Sequence, residues 1–331
     1  MQRYLPRKYY APIRRIQYGV PARAASLVRP VVWRAYGRRP VPSGELSARS
    51  IFGHGVEGFE PIPKRIWLYW EQPEKPELVA ALNADVSRKN PDHEIVSLDR
   101  TNAAAYIPEY SEWDGSLAPQ HKADLLRLYL VSRYGGIWMD SSIYLGHSLQ
   151  WLHDWSAQSR LDFVGFRNDN LESGPYPMIE NWFFAASAGH AFVSRWLDYL
   201  KPLCDGDTDT LFSDLMSIPQ CRAAASRVPN PRYRLAYLAN QAALANSSGY
   251  QMGLLRARDE AFSFAEQYSR NTWELAMNWT VRPAPEQSPV LVKMTQRDRS
   301  IIMAYDEAGM TRSDSLIGSV LASYRGEFAN A

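Results

Sequence analysis

Cysteine is almost absent from this chain, whose 331 residues include two, Cys204 and Cys221. Two cysteines are too few for a disulfide framework or a four-cysteine zinc site, and they fit a reducing compartment. The sequence also lacks the run of about 18 apolar residues that a transmembrane helix needs. Its first residues lack the continuous apolar stretch of a secretory signal. We therefore expect a cytoplasmic protein.

Acidic residues are missing from the first 40 positions, which contain ten Lys and Arg. Positions 41–331 contain 27 basic and 35 acidic residues, so a basic arm, assigned to residues 1–60, precedes a mildly acidic body. Four prolines are expected to interrupt any long helix in this arm, namely Pro6, Pro12, Pro21 and Pro30.

Aromatic residues stand between the positive charges of the arm and suit an anionic membrane surface. We expect residues 1–50 to attach the protein peripherally to the inner face of the plasma membrane. A solvated or partner-bound tail is the alternative. Nucleic-acid binding through the arm is a further interpretation, which the negative charge of the body disfavours.

Apolar patterns in residues 61–300 alternate between strand and helix, as is typical of an α/β domain. Strands are predicted at 66–70, 94–98, 137–139, 163–166 and 182–186, with a late strand at 290–292. Helices are predicted between residues 76 and 90, at 119–134 and at 191–200. The pattern beyond residue 203 is mostly helical, and residues 301–331 are expected to form a C-terminal tail.

The most informative stretch runs from His121 to Ser142. Asp124 and Arg127 are three residues apart on one helix and share a face, with His121 one turn earlier. Two glycines end this helix, and a short strand then delivers Asp140 to the carboxyl end of the sheet, where open α/β sheets bind ligands. Taken alone, Asp124 and Arg127 would fit an ordinary solvated pair.

These residues and their order resemble the bacterial capsular polysaccharide synthesis family. That family is related to the DxD-type mannosyltransferases and, more distantly, to the large clostridial glucosylating toxins. The resemblance is carried by 62–70, the Asp124/Arg127 helix, 135–140, 181–187 and 289–295. It implies a GT-A-like fold with a mixed sheet, a nucleotide-sugar donor, a glycan or polysaccharide acceptor and retention of anomeric configuration. The implied role is glycosyl transfer in bacterial surface polysaccharide assembly.

The resemblance also assigns roles to residues. Asp124, Arg127 and Asp140 are the expected catalytic group, with Asp124 and Arg127 on the donor sugar. Other donor contacts are expected from Trp67, Trp70, His121, Gly135, Gly136, Ser142 and Lys293. Trp70 would stack on the base, and Lys293 would approach the phosphates. Acceptor contacts are expected from Glu180, Asn181 and Trp182, for which loop positions without a role are the alternative.

Asp140 is also the expected ligand of a divalent cation, Mg²⁺ or Mn²⁺, because hard cations prefer carboxylate oxygens. The related DxD motif has a second acid two residues later, where this chain has Ser142. That departure leaves the metal requirement open. It also supports the alternative function, a non-catalytic protein that binds a sugar or nucleotide sugar.

Overall fold

A computed structural model of the protein describes residues 10–37, 49–53, 58–113, 117–172, 174–205, 207–263, 271–286 and 288–329. The strands are β1 (Ser50–Gly53), β2 (Arg65–Tyr69), β3 (Glu94–Leu98), β4 (Gly136–Met139), β5 (Ile143–Leu145), β6 (Phe163–Arg167), β7 (Ile179–Ala186), β8 (Gln251–Arg256) and β9 (Leu291–Lys293). The helices are α1 (Tyr10–Leu27), α2 (Arg29–Tyr36), α3 (Glu77–Lys89), α4 (Pro119–Tyr134), α5 (Gln150–Ser159), α6 (Ala191–Leu200), α7 (Thr208–Ser217), α8 (Pro219–Ala225), α9 (Leu235–Ala245), α10 (Thr272–Thr280), α11 (Gln296–Glu307) and α12 (Leu316–Ala329).

Seven strands form one mixed sheet in the order β1-β8-β6-β7-β4-β2-β3. Strand β2 runs parallel to β3 and β4, and β6 runs parallel to β8. Strand β7 lies antiparallel to β4 and β6, and β1 lies antiparallel to β8. A separate two-stranded sheet pairs β5 with β9, antiparallel.

Both faces of the large sheet are covered. Alternate residues of β2 point to opposite faces: Trp67 packs with α4 and α6 residues, and Ile66 packs with residues of β4, α5 and β6. A strand buried on both faces must be apolar at nearly every position, and for this reason residues 66–69 show no polar alternation.

The sequence predicted the regular elements of the central domain well. Helices α4 and α6 and strand β3 have the predicted bounds, and β7 begins three residues before its prediction. The expectation of an α/β fold with a mixed sheet and a mostly helical C-terminal part is confirmed. The pattern did not predict β1, β5 or β8, which are short or follow the irregular region beyond residue 203.

The expectation that proline interrupts the helices of the basic arm is wrong at Pro21, which lies inside α1. Proline removes one helical hydrogen bond, but Tyr18, Ala22 and Ala25 are buried against α10 and α11 and hold this helix in place. Pro30, in contrast, stands in the first turn of α2, where its missing N–H has no helical partner to lose.

Parts of the predicted arm and tail therefore pack on the body. Helix α1 lies along α11, and α12 packs on α3 and α10. Residues 1–9, 38–48 and 54–57 of the predicted arm lie outside the described residues. The division into arm, domain and tail remains a prediction. Within the described ranges, none of the helices combines the length and apolar character needed to cross a membrane.

Candidate active site

A large cleft, about 2410 Å³ in volume, opens at the carboxyl ends of β2 and β4. Its floor includes Asp124 and Arg127 of α4 together with Asp140, the residue that follows β4. Because β7 is antiparallel to β4, its first residues reach the same edge, and the backbone N–H of Asp140 donates to the Trp182 carbonyl at 2.9 Å. The predicted catalytic group is thus brought together in one cleft.

Arg127 connects the two carboxylates of the cleft floor. Its Nη1 lies 2.8 Å from Asp124 Oδ1 and its Nη2 lies 3.5 Å from Asp140 Oδ1. The guanidinium also lies 5.1 Å from the ring centroid of Trp138. The Arg127 side chain is 7% exposed and that of Asp124 is 8% exposed. The pair is therefore buried at the cleft floor, unlike an ordinary solvated pair on a helix surface.

Lys293 reaches this site from a distant part of the chain. The antiparallel pairing of β5 with β9 places Lys293 opposite Ile143, three residues after Asp140. The Lys293 ammonium donates to Asp140 Oδ2, and Trp138 Nε1 donates to Asp140 Oδ1 at 3.1 Å. Both carboxylate oxygens of Asp140 are therefore engaged by protein donors.

The two carboxyl groups of the floor differ in acidity. Burial raises the pKa of Asp124 to about 6, although the charge of Arg127 opposes the increase. Burial also acts on Asp140, but the positive charges of Lys293 and Arg127 outweigh it and lower the pKa of Asp140 below its ordinary value. Asp140 is therefore ionised near neutral pH, and Asp124 gains a proton on mild acidification.

The three predicted acceptor residues lie on β7 and line the cleft. Glu180 is 1% exposed, and its carboxylate accepts hydrogen bonds from Asn168, Trp182 and Tyr237. Burial raises the pKa of Glu180, although these hydrogen bonds oppose the increase. Asn181 Nδ2 donates to Asp124 Oδ1 at 2.8 Å. The three residues therefore lie on a strand and not in a loop, and their side chains form a hydrogen-bonded part of the cleft wall.

The two tryptophans of the predicted donor site lie in different environments. Trp70 follows the carboxyl end of β2 and lines the cleft, with the Arg299 guanidinium 5.5 Å from its ring centroid. Trp67 is buried in the core, where its Nε1 donates to the Gly135 carbonyl at 2.9 Å. Trp67 therefore holds the end of α4, and the structure gives it no surface toward a donor.

Three further predicted donor residues lie away from the cleft wall. His121 is buried behind Asp124, with its Nδ1 4.0 Å from Asp124 Oδ2, and burial lowers the pKa of its imidazole. Gly135 and Gly136 lie at the opposite end of β4 from Asp140 and have φ angles of +64° and +98°. A Cβ on Gly135 would lie 2.7 Å from the Ala188 nitrogen, so this glycine serves a tight turn.

The residues around Asp140 do not fit a preformed divalent cation site. Such a cation needs several hard oxygen ligands, whereas Asp140 is surrounded by Lys293 and Arg127. Ser142 lines the cleft, but its hydroxyl donates to the Met294 carbonyl at 3.3 Å. Within the described ranges, no three His, Cys, Asp or Glu side chains form a metal-ligating group.

Several residues of the cleft wall were not predicted from the sequence, including Arg299 on α11 and Tyr237 on α9. A signal for α11 was present, because Thr295 and Asp298 form the capping box that begins this helix. Its side chains could then have been placed just after Lys293. Tyr237 has no comparable signal, since its position depends on the packing of α9 against β7.

Comparison with known proteins relates the central part of the chain to sugar-transferring enzymes. The family described as capsular polysaccharide synthesis protein matches residues 57–203. The O-glycosyltransferase braB of Annulohypoxylon truncatum is 32% identical over 165 residues, which cover 44% of this chain and 39% of that protein. The glycosyltransferase afumC of Aspergillus fumigatus is 33% identical over 94 residues, 27% of this chain and 23% of that protein. The chain thus spans less than half the length of these curated relatives.

Solved glycosyltransferases also align with this structure. One is involved in the glycosylation of the major capsid of PBCV-1 and aligns with a TM-score of 0.39 and 10% identity, over 73% of this chain and 99% of that chain. The galactosyltransferase LgtC with donor and acceptor sugar analogs aligns with a TM-score of 0.37 and 11% identity, over 75% and 96%. The family match supports the resemblance to capsular polysaccharide synthesis proteins, and the predicted links to DxD-type mannosyltransferases and clostridial toxins remain predictions.

Proposed function

We propose that this chain is a nucleotide-sugar-dependent glycosyltransferase of the GT-A type, with its donor site in the cleft at Asp140. The observation that carries the proposal is the convergence of Asp124, Arg127 and Asp140 at the carboxyl edge of the sheet. The family match over residues 57–203, which includes all three positions, supports it independently.

The chemistry of the cleft suits a sugar donor. Asp124 and Arg127 offer a charged acceptor and a forked donor to sugar hydroxyls. Trp70 offers an aromatic plane beside the cleft for the nucleobase.

In the proposed reaction the bond between the anomeric carbon and the diphosphate oxygen breaks, and its electron pair stays with the diphosphate. An acceptor hydroxyl oxygen forms the new bond to that carbon, and its proton leaves with the nucleoside diphosphate. We propose retention of configuration on the basis of the family resemblance, and NMR of the product anomer tests it.

The acceptor that we propose is a hydroxyl of a glycan or polysaccharide. Its binding surface is the wall formed by Glu180, Asn181 and Trp182, which borders the donor residues. The description of the matching family supports a polysaccharide acceptor, as in bacterial surface polysaccharide assembly. The two curated relatives are fungal, and the one named an O-glycosyltransferase supports oxygen as the accepting atom.

We also propose peripheral attachment to an anionic membrane surface through the N-terminal helices. Leu27 is 85% exposed and Val31 is 68% exposed, on helices that hold basic residues and no acidic ones. An exposed apolar and basic surface fits the boundary between lipid headgroups and acyl chains. The cytoplasmic inner face of the plasma membrane is the anionic surface that we propose.

The decisive experiment is a thermal shift screen of nucleotide sugars, followed by donor hydrolysis without acceptor. A donor that binds the native state raises its apparent stability. Slow hydrolysis separates an enzyme from a non-catalytic binding protein, the alternative that Ser142 in place of a second acid favours. Binding without any hydrolysis or transfer would support that alternative.

Two neighbouring substitutions then test the site. Asp140→Asn should remove nearly all hydrolysis, because it removes the charge that holds Lys293 and Arg127. Ser142→Ala should retain most of it, because the hydroxyl contacts a backbone carbonyl at 3.3 Å and carries no charge. Turnover of the two folded variants with the donor from the screen provides the measurement. Full activity of Asp140→Asn would contradict the site assignment.

A further inference from the structure

Positive charge is concentrated where the leaving group of the proposed reaction would lie. Lys293 and Arg299 both line the cleft beside Asp140, and Arg127 lies on the other side of that carboxylate. Burial lowers the pKa of Lys293, the charge of Asp140 opposes that decrease, and Arg299 and Arg127 add to it. These groups are therefore close enough to act on one another electrostatically.

The N-terminus of α11 lies beside these cations, but its own first-turn carboxylate, Asp298, already partners it. Thr295 caps the helix, and its capping box with Asp298 occupies the Thr295 hydroxyl and backbone N–H. Thr295, Gln296 and Ser300 line the same cleft as Lys293. The partial positive charge of this helix end is therefore compensated by Asp298, and the cationic side chains Lys293 and Arg299 remain as the groups that can attract an anion.

The charge count of the cleft is favourable for an anion. Its whole lining holds six Lys and Arg side chains and five Asp and Glu side chains, and around Asp140 the cations Arg127, Lys293 and Arg299 outnumber the carboxylates of Asp124 and Asp140. The expected metal would have to bind Asp140 against this surplus of positive charge. A diphosphate that carries negative charge would instead be attracted to it.

We infer that Lys293 and Arg299 bind the diphosphate of the donor directly, in place of a divalent cation. The inference rests on the proposed function and names the leaving-group site of that cleft. When the anomeric C–O bond breaks and its electron pair passes to the diphosphate oxygen, these groups stabilise the added negative charge. Asp140 acts as a positioning residue that holds the Lys293 ammonium.

The inference is tested by the binding of inorganic diphosphate to the full chain, measured by isothermal titration calorimetry in EDTA at fixed ionic strength. We expect saturable binding by the wild type. Lys293→Met and Arg299→Gln should each weaken it at least about tenfold, because each removes one contact to a charged group. Arg195→Gln is the matched control, since Arg195 is half-exposed on α6, and its binding should stay within about twofold of wild type.

Loss of the Lys293 charge leaves Asp140 without one partner, so Arg299→Gln and the double variant Asp140→Asn/Lys293→Met accompany the single variant. Weak diphosphate binding in these folded variants supports the inference. Strict dependence of wild-type binding on added Mg²⁺ or Mn²⁺ would overturn it, as would unchanged binding in Arg299→Gln and the double variant. A chain that binds diphosphate in EDTA but hydrolyses no nucleotide sugar would contradict the proposed function and would support only the metal-free diphosphate site.

Discussion

Arg127 shows how burial changes what a substitution does. A solvated arginine contributes little to stability, but the Arg127 side chain is buried between Asp124 and Asp140. Removal of one partner from a buried ion pair commonly costs about 3–5 kcal/mol, because the opposite charge stays buried without compensation. Arg127→Ala is therefore a poor probe of catalysis, since it affects the fold and the site together.

The sharper probe is Arg127→Lys, which keeps the charge but loses the planar fork. We expect turnover to fall about 100-fold or more and the free energy of unfolding to fall by less than that of Arg127→Ala. Arg133→Lys on the same helix is the control, because Arg133 is half-exposed in an ion pair with Glu109 and should change turnover little. Kinetics and urea denaturation of the three variants provide the measurement. Normal turnover of Arg127→Lys would remove the sugar contact assigned to this residue.

Asp124 should give the enzyme an acidic limb in its pH profile. Its pKa is raised from 3.8 to about 6 by burial, so the folded state binds this proton more tightly than the unfolded chain does. The contribution of Asp124 to stability is then greatest below pH 3.8 and decreases as the pH rises to about 6. Activity should instead increase as the pH rises, because the ionised form of Asp124 is the one that pairs with Arg127 and accepts a hydrogen bond from a sugar hydroxyl.

We therefore expect kcat/KM of the wild type to fall as the pH decreases through about 6. Asp124→Asn should be at least about tenfold slower at neutral pH, and this limb should be absent from its profile. The measurement is donor hydrolysis between pH 4.5 and 8, with circular dichroism at each pH as the control for folding. An acidic limb that persists unchanged in Asp124→Asn would assign the titration to another group.

The turn between α4 and β4 requires glycine at position 135. Gly135 has a φ of +64°, and a Cβ there would meet the backbone nitrogen of Ala188 at 2.7 Å. Gly189 has a similar φ of +69°, but a Cβ there would meet nothing within 4 Å. The two positions thus separate backbone strain from a steric clash.

Gly135→Ala should lower the free energy of unfolding by at least about 2 kcal/mol, the sum of left-handed strain and overpacking. Gly189→Ala should cost about 1 kcal/mol, because it adds the strain alone. Donor KM of Gly135→Ala should be unchanged below its melting temperature, since the five-residue step along β4 separates Gly135 from Asp140 by about 16 Å. Urea denaturation and donor kinetics provide the measurement. A raised donor KM in the folded Gly135→Ala protein would return Gly135 to the donor site.

At the scale of the whole molecule, the N-terminal helices have two opposite faces. Tyr18, Ala22 and Ala25 are buried on the body, and Leu27 and Val31 are exposed. Deletion of residues 1–50 would uncover the apolar face of α10 and α11 and would also remove Gly19, Val20 and Arg23 from the cleft wall. Truncation would therefore lose activity for reasons unrelated to a membrane.

Substitution of the exposed face tests membrane attachment without this damage. Leu27→Ser, Val28→Ser and Val31→Ser together should abolish sedimentation with vesicles that contain phosphatidylglycerol, because they remove the apolar part of the interaction. The melting temperature should change little, since all three side chains are exposed. Ile51→Ser is the control, an exposed apolar residue on β1. Equal sedimentation of the triple variant and the wild type would contradict the proposed attachment.

The sequence by itself determined the elements whose signals are local. The bounds of α4 follow from Pro119 at its start and Gly135 after its end, and the strand into Asp140 follows from three apolar residues in a row. Helix capping, proline and glycine act within a few residues. The shared helix face of Asp124 and Arg127 follows from spacing alone, so this part of the candidate site could also be predicted.

Tertiary structure alone decided which of the predicted residues meet. Lys293 contacts Asp140 because β5 pairs with β9 across about 150 residues of chain. Trp67 and Trp70 are alike in sequence context. Trp67 is buried in the core because β2 is covered on both faces, whereas Trp70 lies beyond the end of β2 and lines the cleft. Strand pairing and burial depend on contacts between distant segments, and no local pattern encodes them. The choice between a metal and a cationic leaving-group site therefore became visible in the folded molecule.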